Sequence, residues 1–338
     1  DAGYWAYQRF WRGELRVTAL DVGQGSAVLV EFPGGHTLLV DGGGTADRSV
    51  FDVGAAVVAP FLWRQKIRTI DTLILTHANS DHVNGLIFIA EAFRVGALWA
   101  ASGDVGHPGY AELIRVCDAR GITRPSFAGI ERVQAIGPAR LEILHPPADP
   151  DAARLRDENN RSIVTRVGLG SHAVLIPGDV MQAAEKGIVR AAGDRLRSSV
   201  LLAPHHGSRT SSSEEFVRAV APEAVLISCG GRPGSGMPHP GVLERYRAQG
   251  VRVWRTDRDG ALRVVTDGRS LRVEPALNAG GDGIPMRGES HGGDAGGVGK
   301  KGSGDGTAKG RKNQRSRRRE PISRWRRAPR SRRPTAPF

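Results

Sequence analysis

The chain carries the stretch Asp71-Thr72-Leu73-Ile74-Leu75-Thr76-His77-Ala78-Asn79-Ser80-Asp81-His82. Its first half is an apolar run typical of a strand that is buried on both faces. The following stretch, Gly85–Phe93, predicts a helix, so the two imidazoles and the carboxylate are expected on a short loop at a strand end. Such loops hold reactive groups in place because the sheet beneath them is rigid. Imidazole together with carboxylate suits a divalent transition metal that activates water.

Two further polar clusters also follow apolar strands. Asp179 comes after the predicted strand His172–Ile176, and the pair His205-His206 comes after the predicted strand Val200–Leu202. Strand ends of this kind converge on one edge of a layered fold, so ligands that are distant in sequence can share an ion. Taken alone, Asp179 could be a turn or capping residue, and either histidine could be a surface residue. The joint pattern predicts a metal site.

Around these clusters, three short strands are followed by strands and helices that alternate twice over. This order predicts an α/β fold in which two sheets pack face to face with helices outside. The two cysteines, Cys117 and Cys229, are expected to be buried apolar fillers rather than a disulfide. The predicted helices include Val53–Trp63, which Pro60 would end or kink, Tyr110–Arg120, Gln182–Ala192, Gly241–Gln249, and Glu214–Val220 with Ser211 or Ser212 in its capping box.

The composition divides the chain into three parts, with the folded domain at residues 15–277. Residues 278–338 contain 16 Lys/Arg against 5 Asp/Glu, which is +11 of the chain's net +13. This Gly/Arg-rich tail is predicted to be disordered, and its arginines with Trp325 suit contact with nucleic acid, with anionic lipid as the alternative. The aromatic residues of segment 1–14 resemble those beside a membrane span, although packing on the domain itself is equally open.

Several short motifs occur in the order found in the metallo-β-lactamase superfamily. They are Asp21-Val22-Gly23-Gln24-Gly25, Leu39-Val40-Asp41-Gly42-Gly43, Thr76-His77 through His82, Gly178-Asp179 and His205-His206-Gly207-Ser208. With Asn159-Asn160-Arg161-Ser162 and Pro238-His239-Pro240, the chain more narrowly resembles the C-terminal domain of the ComEC family of competence DNA-uptake proteins, from about Leu15 to Val273. The resemblance implies an αββα four-layer sandwich and metal-dependent hydrolysis of a phosphodiester.

Carried over residue by residue, the resemblance also implies a centre for one or two divalent ions. Asp81 and His82, with one of His205 and His206, would hold one metal, Asp179 would bridge, and His77 would belong to the other metal. We take His205 as the ligand and expect Asp81, Asp179 and His77 to act in catalysis. Asp41 and His206 would support the ligands from behind, and Ser208 and Arg209 would contact substrate, as the sequence HHGSRT at 205–210 suggests.

Two ligand positions depart from the superfamily pattern. Asn79 stands where the second histidine of the loop is expected, and Asn159 or Asn160 stands where a further histidine is expected. Amide oxygens beside His77 make a weak set of ligands for Zn²⁺, and oxygen-rich sets suit Mn²⁺ or Mg²⁺ better. The predicted ligands therefore include Asn79 and Asn160, and the predicted cofactor is Mn²⁺ or Zn²⁺. An inactive site is the alternative.

The first functional hypothesis is a nuclease that acts on DNA during competence-type uptake. The alternatives are a small-molecule ester or lactone hydrolase and a DNA-binding module with a degenerate site. DNA is the predicted partner, and a membrane-spanning channel portion would be a second one if the chain is an excised domain. The predicted location is then the cell membrane on its extracytoplasmic side, or the cytoplasm if the chain stands alone.

Overall fold

The structure, a computed structural model, describes residues 13–101, 106–147, 157–231 and 236–277, together with Gly3, Trp11 and a two-residue strand at 284–285. Apart from these few positions, the predictions made for segment 1–14 and for the basic tail 278–338 lie outside the described residues. Within the described part of the chain, no helix combines the length and the apolar character that a membrane span requires. Cys117 and Cys229 are buried free thiols, as predicted.

Two mixed sheets form the centre of the domain. The first has the strand order β15-β14-β13-β1-β2-β3-β4-β5 and the second has the order β12-β11-β10-β9-β8-β7-β6. The strands are β1 Leu15–Ala19, β2 Val28–Glu31, β3 Thr37–Val40, β4 Thr69–Leu75, β5 Arg94–Ala100, β6 Val133–Ile136, β7 Ala139–His145, β8 Val164–Leu169, β9 His172–Ile176, β10 Val200–Leu202, β11 Ala224–Ile227, β12 Arg252–Arg255, β13 Leu262–Thr266, β14 Leu271–Pro275 and β15 Ile284–Pro285.

Helices cover the outer face of each sheet. They are α1 Ala59–Arg64, α2 Ser80–Ala92, α3 Pro108–Arg120, α4 Gln182–Ala192, α5 Glu214–Val220, α6 Pro240–Ala248 and α7 Thr256–Asp259. Successive side chains of β3 show why its run is uniformly apolar. Leu38 and Val40 join the core between the two sheets, whereas Leu39 faces the core beneath α1, α2 and α3.

Three hydrophobic cores separate the layers. One lies between the sheets, one between the first sheet and α1–α3, and one between the second sheet and α4–α6. Three apolar cores require four layers, so the predicted αββα sandwich is confirmed. Strands β3, β4 and β5 are parallel in the first sheet, as are β9 to β12 in the second. The carboxyl ends within each parallel set therefore lie at the same edge of their sheet.

Two local predictions need correction. The helix predicted from Gly85 begins at Ser80, so Asp81 and His82 lie in the first turn of α2 rather than on a loop. Asn79 occupies the N-cap position without a side-chain capping hydrogen bond, and Asp81 in the first turn is stabilised by the helix dipole. Pro60 does not end its helix. The π-helical turn Gly54–Val58 continues directly into α1, so helical backbone runs on both sides of Pro60, and the irregular π-helical turn directly precedes the helix segment that contains the proline.

Candidate metal centre

The predicted clusters meet at one edge of the sandwich, around the carboxylate of Asp179. Its Oδ1 lies 3.3 Å from His82 Nε2, and its Oδ2 lies 4.0 Å from His77 Nε2 and 3.5 Å from His206 Nε2. Asp81 Oδ2 lies 3.6 Å from His206 Nε2 and 4.0 Å from His82 Nε2. Side chains from three separate strand ends therefore face one small volume.

Hydrogen bonds on the far side of the ring hold each of three histidines in place. His82 Nδ1 lies 2.8 Å from Asp41 Oδ2, and His206 Nδ1 lies 3.0 Å from the carbonyl oxygen of Ser228. Both partners only accept hydrogen bonds, so Nδ1 carries the proton in each ring. His77 Nδ1 lies 3.0 Å from the Thr76 hydroxyl, which donates its own proton to Asp41 at 2.8 Å. The Nε2 atoms of all three rings therefore face the centre.

The surroundings of these Nε2 atoms show whether the site suits a metal ion. Within the described part of the chain, the Nε2 atoms of His77, His82 and His206 are buried and make no hydrogen bond. Leaving a buried polar atom without a partner costs about 1–3 kcal/mol. Three such atoms facing two carboxylates form a donor set of imidazole nitrogen and carboxylate oxygen, which fits a divalent transition metal.

The candidate ligands fall into two groups that share one histidine. One group is His77, His82 and Asp179, and the other is Asp81, His82 and His206. Within each group the ligand atoms lie within 4.8 Å of one another. His206 belongs to one of these groups, whereas the sequence-based prediction names His205 as the ligand and His206 as its support. His205 Nε2 lies 3.8 Å from Asp179 Oδ2, and its side chain is 18% exposed, against 4% for His206.

The electrostatics of the pocket favour ionised carboxylates. Burial would raise the pKa of Asp179, but His206 and His82 outweigh it and hold that pKa well below its usual value. Burial likewise opposes the charge of His206, but the Asp179 and Asp81 carboxylates raise its pKa to about 9. Burial, together with the charge of His82, lowers the pKa of His77 to about 4. The carboxylates and the rings of His82 and His206 thus stabilise each other's charged forms, and a bound cation would replace the ring protons.

Backbone strain is concentrated at the same edge. Asp41, His205 and His206 have φ values of +58°, +49° and +55°, in the left-handed region. That region costs a residue with a Cβ about 1–2 kcal/mol, and such strain persists where the surroundings over-determine it. The loop after β10 is held by the Ser211 hydroxyl, which donates to the Pro204 carbonyl at 2.7 Å.

Two glycines, which lack a side chain, allow the Gly-rich loops to pack closely against the first turn of α2. A Cβ built on Gly25 would lie 2.3 Å from the Asp81 carbonyl oxygen, and one on Gly44 would lie 2.0 Å from that of Ser80. The backbone N–H of Ser26 donates to the Asp81 carbonyl at 3.2 Å. The motif at 21–25 therefore acts by close backbone approach, which positions the Asp81 carboxylate.

The two amide positions make contacts with the protein itself. Asn79 Nδ2 donates to Asn159 Oδ1 at 2.7 Å. Asn160 Oδ1 accepts the backbone N–H of Met181 at 2.9 Å, so this oxygen anchors the segment that follows Asp179. The assignment of Asn79 and Asn160 as metal ligands stays a prediction.

The two residues predicted to contact substrate differ in exposure. Ser208 is buried, and its hydroxyl lies 3.1 Å from that of Thr210, whereas Arg209 is exposed to solvent. The N-cap of α5 is Ser213, whose side chain accepts the Phe216 N–H, rather than Ser211 or Ser212.

Three supporting residues were not identified from the sequence. Thr76 links His77 to Asp41, Ser228 orients His206, and the Ser162 hydroxyl accepts the Asp179 N–H at 3.1 Å. The sequence contains one indication of Ser228. It directly follows β11, which is parallel to β10, so it lies at the same sheet edge as the histidine pair that follows β10.

Comparison with known proteins agrees with this geometry. The model of the metallo-beta-lactamase superfamily matches residues 20–232. ComE operon protein 3 of Bacillus subtilis is 29% identical over 259 residues, which are 74% of this chain and 33% of that protein. Competence protein ComA of Neisseria gonorrhoeae is 33% identical over 254 residues, 74% of this chain and 32% of that protein. The chain thus spans about a third of the length of these curated relatives.

Among solved structures, the metallo hydrolase Igni18 of Ignicoccus hospitalis aligns at 15% identity with a TM-score of 0.45, covering 73% of this chain and 98% of that chain. The superfamily model covers well over half of this chain, and its range contains Asp41 and all of the histidines and aspartates gathered around Asp179. The chain therefore belongs to the metallo-β-lactamase superfamily, and its predicted resemblance to the competence proteins is confirmed.

Proposed function

We propose that this chain is a metal-dependent hydrolase that cleaves phosphodiester bonds of DNA during competence-type DNA uptake. The observation that carries the proposal is the convergence of three buried, unpartnered Nε2 atoms on the Asp179 carboxylate. The names of the curated relatives support the role in competence. In this proposal the chain is a domain of a larger membrane protein and acts on its extracytoplasmic side.

Either ligand group would hold Mn²⁺ or Zn²⁺, and a bound ion would lower the pKa of water toward about 7. Asp41 and the Ser228 carbonyl hold the ring nitrogens of His82 and His206 on the side away from the centre. Asp81 is the more open carboxylate, with 31% of its side chain exposed against 5% for Asp179. The centre is therefore more open to solvent on the Asp81 side.

Proton transfer to the leaving alkoxide is assigned to His205. Its Nε2 lies 3.8 Å from Asp179 Oδ2, and its side chain reaches solvent while those of His77, His82 and His206 are buried. A general acid must lie within hydrogen-bond reach of the group that it protonates. His205 is the histidine of the centre that an incoming strand could contact.

The test is metal analysis together with cleavage of labelled DNA in Mn²⁺, Mg²⁺ and Zn²⁺. We compare the wild type with Asp81→Asn and Asp179→Asn, and with Asp194→Asn, whose side chain is 97% exposed, as the matched control. The proposal expects DNA cleavage that the first two substitutions abolish and the third leaves unchanged. Turnover of esters or lactones with intact DNA would indicate a small-molecule hydrolase. DNA binding without cleavage in any of the three metals would indicate a degenerate binding module.

A further inference from the structure

A cleft of about 1080 Å³ opens beside the metal centre. Asp81, a member of one ligand group, also lines this cleft. Another part of the lining comes from the loop after β3, where Val50 and Phe51 expose 80% and 48% of their surfaces. The volume slightly exceeds the range of about 300–1,000 Å³ seen for ligand pockets. The cleft is therefore large enough for a ligand and continuous with the proposed reaction site.

We propose that the cleft receives an unpaired DNA base next to the phosphodiester that lies at the metal centre, with Phe51 as the stacking surface. This inference rests on the proposed function and specifies its substrate. A nucleobase stacks on an exposed aromatic ring without regard to sequence. Val57, which also lines the cleft and is only partly buried, would contact the same flat group with apolar surface.

The charges of the lining favour a base over a phosphate. Asp21 and Asp47 line the cleft together with Asp81, and the described residues of its lining include neither Lys nor Arg. Both outer carboxylates are engaged in their own loops, since Asp21 Oδ1 accepts the Gly23 N–H and Asp47 Oδ1 accepts the Ser49 N–H. A phosphate would be repelled here, whereas a neutral heterocycle would not.

The loop that carries Phe51 is tied to the helix that carries Asp81. The Thr45 hydroxyl lies 3.1 Å from the Phe51 carbonyl oxygen, and the Thr45 carbonyl accepts the Asn84 side-chain N–H at 2.7 Å. Asn84 is on α2, one turn beyond Asp81. The stacking surface and the metal centre therefore keep a fixed spacing, so a stacked base would set the position of the adjacent phosphate.

This geometry selects single strands. A base inside a duplex is paired and stacked, and moving it out costs a few kcal/mol. In a single strand the base is unpaired, so no base pair has to be broken. We therefore expect single-stranded DNA to be the preferred substrate, and bases to matter even though the reaction occurs at phosphorus.

The experiment measures binding of a fluorescent oligothymidylate and of an abasic oligomer with the same number of phosphates, by anisotropy in EDTA. Chelation prevents cleavage, and raised salt weakens phosphate contacts. The readout is the ratio of the Kd of the abasic strand to the Kd of the thymidine strand. Phe51→Ala should reduce this ratio about tenfold, which corresponds to one lost stacking contact. Phe51→Trp should preserve it, and so should Trp63→Ala, an exposed aromatic residue outside the cleft lining.

Equal ratios in the wild type and Phe51→Ala would overturn the inference, as would a wild-type ratio of one. The readout does not depend on catalysis, so the two proposals fail separately. If Phe51→Ala changes the ratio but no metal supports cleavage, the base site stands and the nuclease function does not. If the protein cleaves DNA but Phe51→Ala leaves the Kd ratio unchanged, the nuclease function stands and the base site does not.

Discussion

Replacing Gly25 by alanine tests whether close backbone approach positions the metal centre. The new Cβ would lie 2.3 Å from the Asp81 carbonyl oxygen and 3.0 Å from the Asp81 Cβ. Ordinary contact begins at 3.4 Å, so the first turn of α2 has to retreat by about 1 Å, a displacement that can cost about a hundredfold in rate. The φ of +117° at Gly25 adds about 1–3 kcal/mol of backbone strain.

The assay is Mn²⁺ affinity by isothermal titration calorimetry, followed by the rate of phosphodiester cleavage and the free energy of unfolding. We expect Gly25→Ala to reduce the cleavage rate about a hundredfold and to weaken Mn²⁺ binding, because Asp81 and His82 move together on α2. Gly23→Ala is the matched control, since Gly23 also has a positive φ, +73°, but a Cβ there meets nothing within 4 Å.

The control should lose about 1–2 kcal/mol of stability and keep its metal affinity. Unchanged metal binding in Gly25→Ala would refute the positioning role of the motif. An equal loss in Gly23→Ala would also refute it, because backbone strain would then be the whole effect.

Further substitutions probe the histidines of the centre, the Asp41 carboxylate behind one of them, and the buried carboxylate of Glu185. Asp41→Asn should weaken metal binding about 10–100-fold, measured by calorimetry, because the His82 ring loses the carboxylate 2.8 Å from its Nδ1; unchanged affinity would contradict this. His206→Ala should abolish tight metal binding while His205→Ala retains it, and the opposite order would make His205 the ligand. Burial raises the pKa of Glu185, so the folded protein keeps a proton that the unfolded chain has lost, and stability falls as pH rises above the ordinary pKa of about 4.3. Glu185→Gln should remove that component of the pH dependence of the melting temperature, and an identical pH profile would count against it.

The sequence predicted regular elements well where one periodicity dominates. The helices Gln182–Ala192 and Glu214–Val220 and the strand His172–Ile176 agree with the structure to the residue. Strand β6, Val133–Ile136, was missed because it is an edge strand whose residues are all partly or fully exposed, so neither a buried run nor a clean alternation marks it.

The centre was predictable as a set of residue types but not as a geometry. Strand-end clusters indicated which histidines and aspartates would meet. The choice between His205 and His206 depends on two consecutive left-handed backbone conformations, which residue spacing does not encode. The cleft beside Asp81 was also not predicted, since Phe51 is brought there by a loop that is fixed through Thr45 and Asn84.

The shared histidine of the two ligand groups sets the stoichiometry of the centre. His82 Nδ1 is committed to Asp41, so the ring offers a single lone pair, on Nε2, and one lone pair serves one cation. Since both groups include His82, they compete for occupancy in this arrangement of side chains. An ion bound in one ligand group therefore excludes an ion from the other. A dinuclear centre would need a further donor atom for the ion that does not bind His82.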